Sequence, residues 1–237
     1  MHFQTSLRPL FVVATVAALA VTLQALPLHA AEDRFTDNFE IEKGELATQG
    51  KNPFFNLEPG YFLTLAGKED DKDIVLTITV LNETKTVDGV ETRVVEERET
   101  IDGQLYEVSR NYYAISKRTG DVFYFGEDVD IYQDGKVTGH EGAWLSGKDD
   151  AKYGLMMPGS PLLGARYYQE RCEHAKDRAE VISLTETLDT PAGKFTKCLQ
   201  TEESTPLEKD VSAYKTYARG IGLIHDGTLK LTKYGKQ

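Results

Sequence analysis

The chain has 237 residues, with 27 Lys and Arg against 38 Asp and Glu and a formal net charge of −11. So acidic a balance opposes binding to nucleic acid or to anionic membrane, because both reward clustered Lys and Arg. The length suits one large β domain or two small ones, and a single domain is expected over residues 53–237.

In chain order, residues 1–30 read as a signal peptide. Arg8 supplies a positive start, Leu10 to Leu23 is an uncharged apolar run, Pro27 breaks it, and Leu28-His29-Ala30 offers a cleavage site. The run is short for a bilayer span, and no later segment is apolar enough to cross one. Export to the periplasm or beyond is therefore expected. Residues 31–52 are polar and poorly periodic, a lead-in that drapes on the sheet or stays mobile. Asn52 to Gly60 comes after it, with Phe54 and Phe55 expected to tuck into the core.

Four turn dipeptides come next: Asp88-Gly89, Asp102-Gly103, Gly120-Asp121 and Asp134-Gly135. Asp-Gly favours the positive φ angles of tight hairpin turns, so the segments between them fold back on one another as an antiparallel meander. Ile74, Leu76, Ile78 and Val80 alternate as a core face. In the next strand, Val90, Thr92 and Val94 are expected to look inward, with Glu91, Arg93, Glu97 and Glu99 around Val95 facing water. Apolar residues on both faces near Tyr112 predict a strand end covered on both sides. Ser146 to Leu163 lacks strand character and is the expected cover of a site. Beyond it, strands are predicted over Ala165–Cys172, Arg178–Leu188, Lys194–Glu203, Ser212–Ala218, Gly222–His225 and Thr228–Lys233, with Glu173 to Ala179 as a weak helix candidate. The fold class is mainly β, an antiparallel up-and-down meander curved or closed into a barrel, half-barrel or sandwich with little helix.

Chemical motifs are sparse. Asp130, Asp134, Gly135 and Glu141 match a calcium loop at its first, fifth, sixth and twelfth positions, but Tyr132 replaces an oxygen ligand and the flanks are strands. A plain hairpin turn is the competing reading. His140, Met156, Met157, His174 and His225 have the ligand chemistry of a copper site, though nothing in their spacing gathers them. Cys172 and Cys198 would form a disulfide in an oxidising compartment, closing a loop worth about 3.5 kcal/mol, with two buried thiols as the alternative. There is no Gly-x-Ser-x-Gly elbow, no zinc-protease helix and no phosphate-cradling loop. No cofactor is called for, and catalysis has no positive signal. The aromatic stock, in contrast, exceeds what a plain core needs, and Tyr112, Tyr124, Trp144 and Tyr167 are the expected ligand-binding residues on a curved sheet.

Two stretches carry a resemblance. Thr190-Pro191-Ala192-Gly193-Lys194-Phe195, followed by Tyr217-Ala218-Arg219-Gly220-Ile221-Gly222-Leu223, and the segment from Tyr113 to Asp130 resemble a group of exported bacterial β proteins without an assigned activity. The sheet pattern is more faintly similar to the half-barrels of outer-membrane lipoprotein carriers, but no signature residue carries that function across. Together these expectations describe an exported, non-enzymatic protein that binds a small hydrophobic or lipid-like ligand on the concave side of its sheet. The alternatives are a periplasmic metal-binding protein and an interaction module that binds an envelope protein.

Overall fold

The computed structural model describes residues 35–50, 52–208 and 211–237. The expected signal peptide and the start of the lead-in lie outside the described residues. The described chain is almost entirely strand: β1 (Leu46–Ala47), β2 (Tyr61–Glu69), β3 (Lys72–Val87), β4 (Val90–Ile101), β5 (Gln104–Ser116), β6 (Val122–Gln133), β7 (Lys136–Gly139), β8 (Trp144–Leu145) and β9 (Lys152–Met157). Then come β10 (Arg166–Tyr168), β11 (Glu170–Arg171), β12 (Arg178–Thr190), β13 (Gly193–Ser204), β14 (Ser212–Ala218), β15 (Gly222–Asp226) and β16 (Leu229–Lys236). One short 3₁₀ turn precedes β1. The segment from Glu173 to Ala179, a candidate helix by sequence, is irregular until β12 begins.

The turn dipeptides do what their chemistry requires. Asp88 and Gly89 take φ of 49° and 73°, Asp102 and Gly103 51° and 79°, and Asp134 and Gly135 52° and 73°. Two consecutive positive φ values match the right-handed twist of the strands they join. The result is a run of antiparallel hairpins from β2 to β6. The second half repeats the pattern from β12 to β16.

The two halves join twice. β16 lies antiparallel to β2, with Leu231 opposite Leu65. On the far side, the stretch from Arg166 to Arg171 uses one end for each neighbour: Tyr167 pairs with Ala179 of β12, and Glu170 pairs with Tyr153 of β9. The antiparallel sheet thus curls into a nearly closed barrel, which removes the long free edges that an open sheet of this size would expose. Ser146 to Leu163 is accordingly not a lid. It supplies β9 to the barrel wall directly after β8, and its remainder is exposed at Leu162 and Leu163.

Side-chain alternation divides the core. One cluster fills the lumen around Val80, Val95, Tyr113, Tyr124, Leu199 and Tyr217. A second continues it between β2, β3, β15 and β16, with Leu65, Leu76, Ile224 and Leu231 at its heart. The third lies on the opposite face of β4, β5 and β6, where Val90, Val94, Tyr112, Phe123 and Phe125 are covered by Leu46 and by Phe39 and Ile41 of the lead-in. The end of β5 near Tyr112 is therefore covered on both faces. For β4 the expected faces are exchanged: Val90, Thr92 and Val94 are buried under the lead-in, while Val95 and Glu97 turn into the lumen.

Candidate functional site

Between the two lumenal clusters the barrel leaves a cavity of about 220 Å³. Its apolar lining is ordinary for a β interior: Val80, Val95, Ile78, Leu63 and Met156. Its polar lining is not. β4 contributes Glu97, β6 Glu127 and β11 Glu170, and Asp177 enters from the loop before β12. Glu203 of β13, Lys215 of β14 and Asp226 of β15 complete the charged wall. Lys215 is the one cation among these lining residues, against six carboxyls.

The backbone explains how β6 presents two lumenal residues at an irregular spacing. Tyr113 pairs with Tyr124, but Asn111, two residues earlier on β5, pairs with Glu127, three residues later on β6. One extra residue is therefore inserted in β6, a bulge that returns the following side chain to the same face. Gly126 makes this feasible with φ of 130°, and a Cβ there would lie 2.3 Å from the Trp144 carbonyl oxygen. A strict alternation of faces would have sent either Tyr124 or Glu127 outward.

Lys215 Nζ lies 3.0 Å from Glu203 Oε2 and 3.6 Å from Asp226 Oδ2. Glu203 Oε1 also accepts a hydrogen bond from Gln169 Nε2 at 3.1 Å. The Glu203 carboxylate, with Asp226 in support, holds the Lys215 ammonium well above its ordinary pKa despite burial. Across the cavity Tyr124 donates its hydroxyl proton to Asn111 Oδ1 at 2.6 Å, and Asn111 Nδ2 donates to Ser109 Oγ at 3.1 Å. The Tyr124 ring stacks on Tyr113 at 4.9 Å between centroids and meets Trp144 edge-on at 5.2 Å.

The other four carboxyls, Glu97, Glu127, Glu170 and Asp177, have no ion-pair partner among the described residues. Burial, with Asp226 and neighbouring glutamates adding repulsion against the pull of Lys215, pushes Glu97 up to about 7. Burial and then Glu97 push Glu127 up to about 8. Glu170 rises to about 8 through burial and the nearby Asp177 and Glu127. Asp177 is an exposed residue whose carboxyl is raised by partial desolvation and by Glu203. Glu170 is only 6% exposed, and its Oε2 has no hydrogen-bond partner among the described residues. Trp144 Nε1, which lies beside the Glu170 carboxyl and favours its ionised form, and the Tyr167 hydroxyl are likewise buried without a well-formed hydrogen bond.

Of the four aromatic residues expected to bind ligand, only Tyr124 lines the cavity. Trp144 backs it, and Tyr167 is buried in the same cluster. Tyr112 faces the other way, where its hydroxyl donates to Asp128 beside Lys85; its neighbour Tyr113 holds the lumenal position. Of the calcium-loop residues, Asp130 is engaged by other side chains and Glu141 is exposed. Asp130 sits 3.1 Å from His140 Nδ1 and 3.6 Å from Arg110, and Asp134 is a turn residue. Met156 borders the cavity and Met157 is buried, whereas His174 is exposed and His225 lies on β15. Among the described residues no group of three or more His, Cys, Asp or Glu side chains could hold a metal ion. In place of the expected disulfide there are two free thiols. Cys172 packs beside the first lumenal cluster and accepts a hydrogen bond from the Ala175 amide at 3.2 Å, while Cys198 is buried in the second, opposite Glu186.

No protein-family model matches the chain, and no curated protein matches it. The group of exported β proteins that Thr190 to Phe195 resembles therefore gains no support from a family model. A solved structure described as a "putative lipoprotein" from Parabacteroides distasonis is similar over 79% of this chain and 100% of its own, at 14% identity and a TM-score of 0.40. That degree of likeness bears on neither activity nor ligand. No helix among the described residues is long and apolar enough to cross a membrane, which says nothing of β-barrels that cross with strands.

The carboxyls of this wall escape a reading of the sequence for an identifiable reason. Charged residues alternating along a strand signal solvent in an ordinary sheet, and that rule sends Glu97 to water. Around a lumen that keeps a cavity, the same pattern marks the inside.

Proposed function

We propose that this protein is a non-enzymatic, exported binding protein that holds a small polar molecule inside its barrel. The reading rests on one observation, the 220 Å³ lumenal cavity with Glu97, Glu127 and Glu170 on its wall and outside any ion pair among the described residues. Buried polar groups are normally satisfied, and leaving them unsatisfied costs stability. A wall that gathers buried Glu170 with half-buried Glu97 and Glu127 around one cavity, none of them in an ion pair among the described residues, is explained by a partner that completes it. The volume also bears on the ligand. An engineered cavity of about 150 Å³ takes up benzene, while sites for drug-sized molecules run from about 300 Å³ upward. The cavity suits one ring or a short chain, and its acidic wall does not suit the acyl chain of a lipid. Export rests on the leader sequence alone.

Native mass spectrometry of protein purified rapidly from its own host tests this reading. The expected result is a species carrying one small molecule, lost when Val95→Trp fills the lumen. Protein found empty under all gentle conditions, with no small molecule able to bind, overturns it. Amino-terminal sequencing of the exported form should begin at Ala31.

A further inference from the structure

The chemistry of the same cavity narrows the ligand, an inference that rests on lumenal binding. We infer that the occupant is a small organic cation, a protonated amine of about nine non-hydrogen atoms by scaling from benzene, held between the acidic wall and the tyrosines.

Four lines of geometry support this. First, charge is one-sided. Lys215 is already engaged by Glu203 and Asp226, so Glu97, Glu127, Glu170 and Asp177 face a lumen with no free cation of the protein's own among the lining residues. An anionic ligand would add to their repulsion, whereas an ammonium removes it. Second, Glu170 is buried and lines the cavity, and the donor beside it is the Trp144 indole N–H, with Oε2 and that Nε1 both short of a well-formed hydrogen bond. One N–H fills only one of a carboxylate's roughly four acceptor sites, and an ammonium carries up to three donors. A charge-assisted bond of this kind is about twice as strong as a neutral one. Third, the wall also carries aromatic rings among its aliphatic residues: Tyr113 and Tyr124 are stacked, and Phe55 meets Tyr113 edge-on at 5.0 Å. Ring faces attract organic cations and accommodate their carbon skeletons. Fourth, an inorganic cation is poorly served by the acidic wall, since no three His, Cys, Asp or Glu side chains among the described residues are grouped so as to hold a metal ion.

The carboxyls also predict how binding behaves. Burial keeps part of this group protonated near neutral pH, so an entering ammonium displaces protons. Lys215 with Glu203 and Asp226 is the other charged assembly on the wall and already forms its pairs.

The test is calorimetric titration of the folded exported chain with phenethylamine, phenethyl alcohol, phenylacetate and calcium chloride at about pH 7.5, in two buffers of different ionisation enthalpy. The expected result is that the amine binds at least tenfold more tightly than the alcohol and releases protons, while phenylacetate and calcium do not bind. Glu170→Gln should weaken the amine at least tenfold, and Glu127→Gln serves the same purpose if the first variant folds poorly. Equal binding of amine and alcohol overturns the cationic class while leaving lumenal binding intact. So does an endogenous molecule, seen by native mass spectrometry, that is neutral or anionic. Calcium binding as tightly as the amine overturns the organic assignment. Failure of every probe, with no endogenous molecule found, removes both this inference and the reading beneath it.

Discussion

Lys215 is the residue on which the charged wall depends. Two carboxylates, Glu203 and Asp226, lie within 3.6 Å of its Nζ, and Glu97 feels its charge as a pull toward ionisation. Removing one partner of a buried ion pair leaves the others uncompensated, which is more damaging than never having built the pair. Lys215→Met should therefore destabilise the barrel by about 2–3 kcal/mol, a value below the fully buried range because the side chain retains 30% exposure. Urea denaturation at about pH 7.5 measures it. Adding Glu203→Gln to the same chain should recover part of the loss, since it removes the charge that Lys215 neutralised. If the double variant is simply the sum of the two singles, the pair is not coupled.

At the scale of elements, closure of the barrel turns on one backbone crossing. Gly154 in β9 lies against the segment that links β10 to β11, and a Cβ there would fall 2.4 Å from the Gln169 carbonyl carbon and 2.5 Å from the Tyr168 carbonyl oxygen. Backbone cannot swing aside as a side-chain tip can. Gly154→Ala should cost about 2 kcal/mol, within the range for overpacking that forces backbone shifts, and should be seen first as faster amide exchange at Tyr167 to Glu170. The hairpins around this crossing are legible in the sequence because their information is local: Asp88-Gly89 and Asp102-Gly103 name their own turns, and Ile74 to Val80 alternates on its own strand. β9 is not legible, since Gly154 weakens its strand character and its pairing comes from β6 and β11, both outside its own segment. The site is less legible still. Tyr124 can be picked out as an aromatic, but its sharing one face with Glu127 depends on the bulge at Gly126, and no periodicity of two reports an inserted residue. Glu170 and Lys215 give no motif, because what makes them a site is the curvature that brings β11, β13, β14 and β15 around one space.

The whole molecule carries these interior carboxyls as a pH dependence of opposite sense to the usual one. A carboxylate paired in the native state has a lowered pKa and stabilises the fold above about pH 4. Glu97, Glu127 and Glu170 are raised instead, to between about 7 and about 8. Folding then binds protons more tightly than the unfolded chain does. Their favourable contribution is complete below the unfolded pKa near 4.5 and is lost as pH rises through 7 to 8. Asp177, Glu99 and Glu107 are raised as well and act in the same sense. His225 opposes them, because burial lowers its pKa and its stabilising effect fades as pH falls through about 6.5; it is one group against six. Asp128 and Lys215 titrate outside this window. The unfolding free energy of the empty protein, measured in urea, should thus be higher at about pH 5.5 than at about pH 8.5, by an amount on the order of 1 kcal/mol for each strongly raised carboxyl once solvent in the cavity is allowed for. Glu127→Gln should flatten the profile and raise stability mainly at the alkaline end. A bound amine should flatten it too, since an ammonium among ionised carboxylates substitutes for the protons they would otherwise take up. A profile that instead rises between those two pH values would mean that the lumenal carboxyls are ionised and already satisfied in the empty barrel.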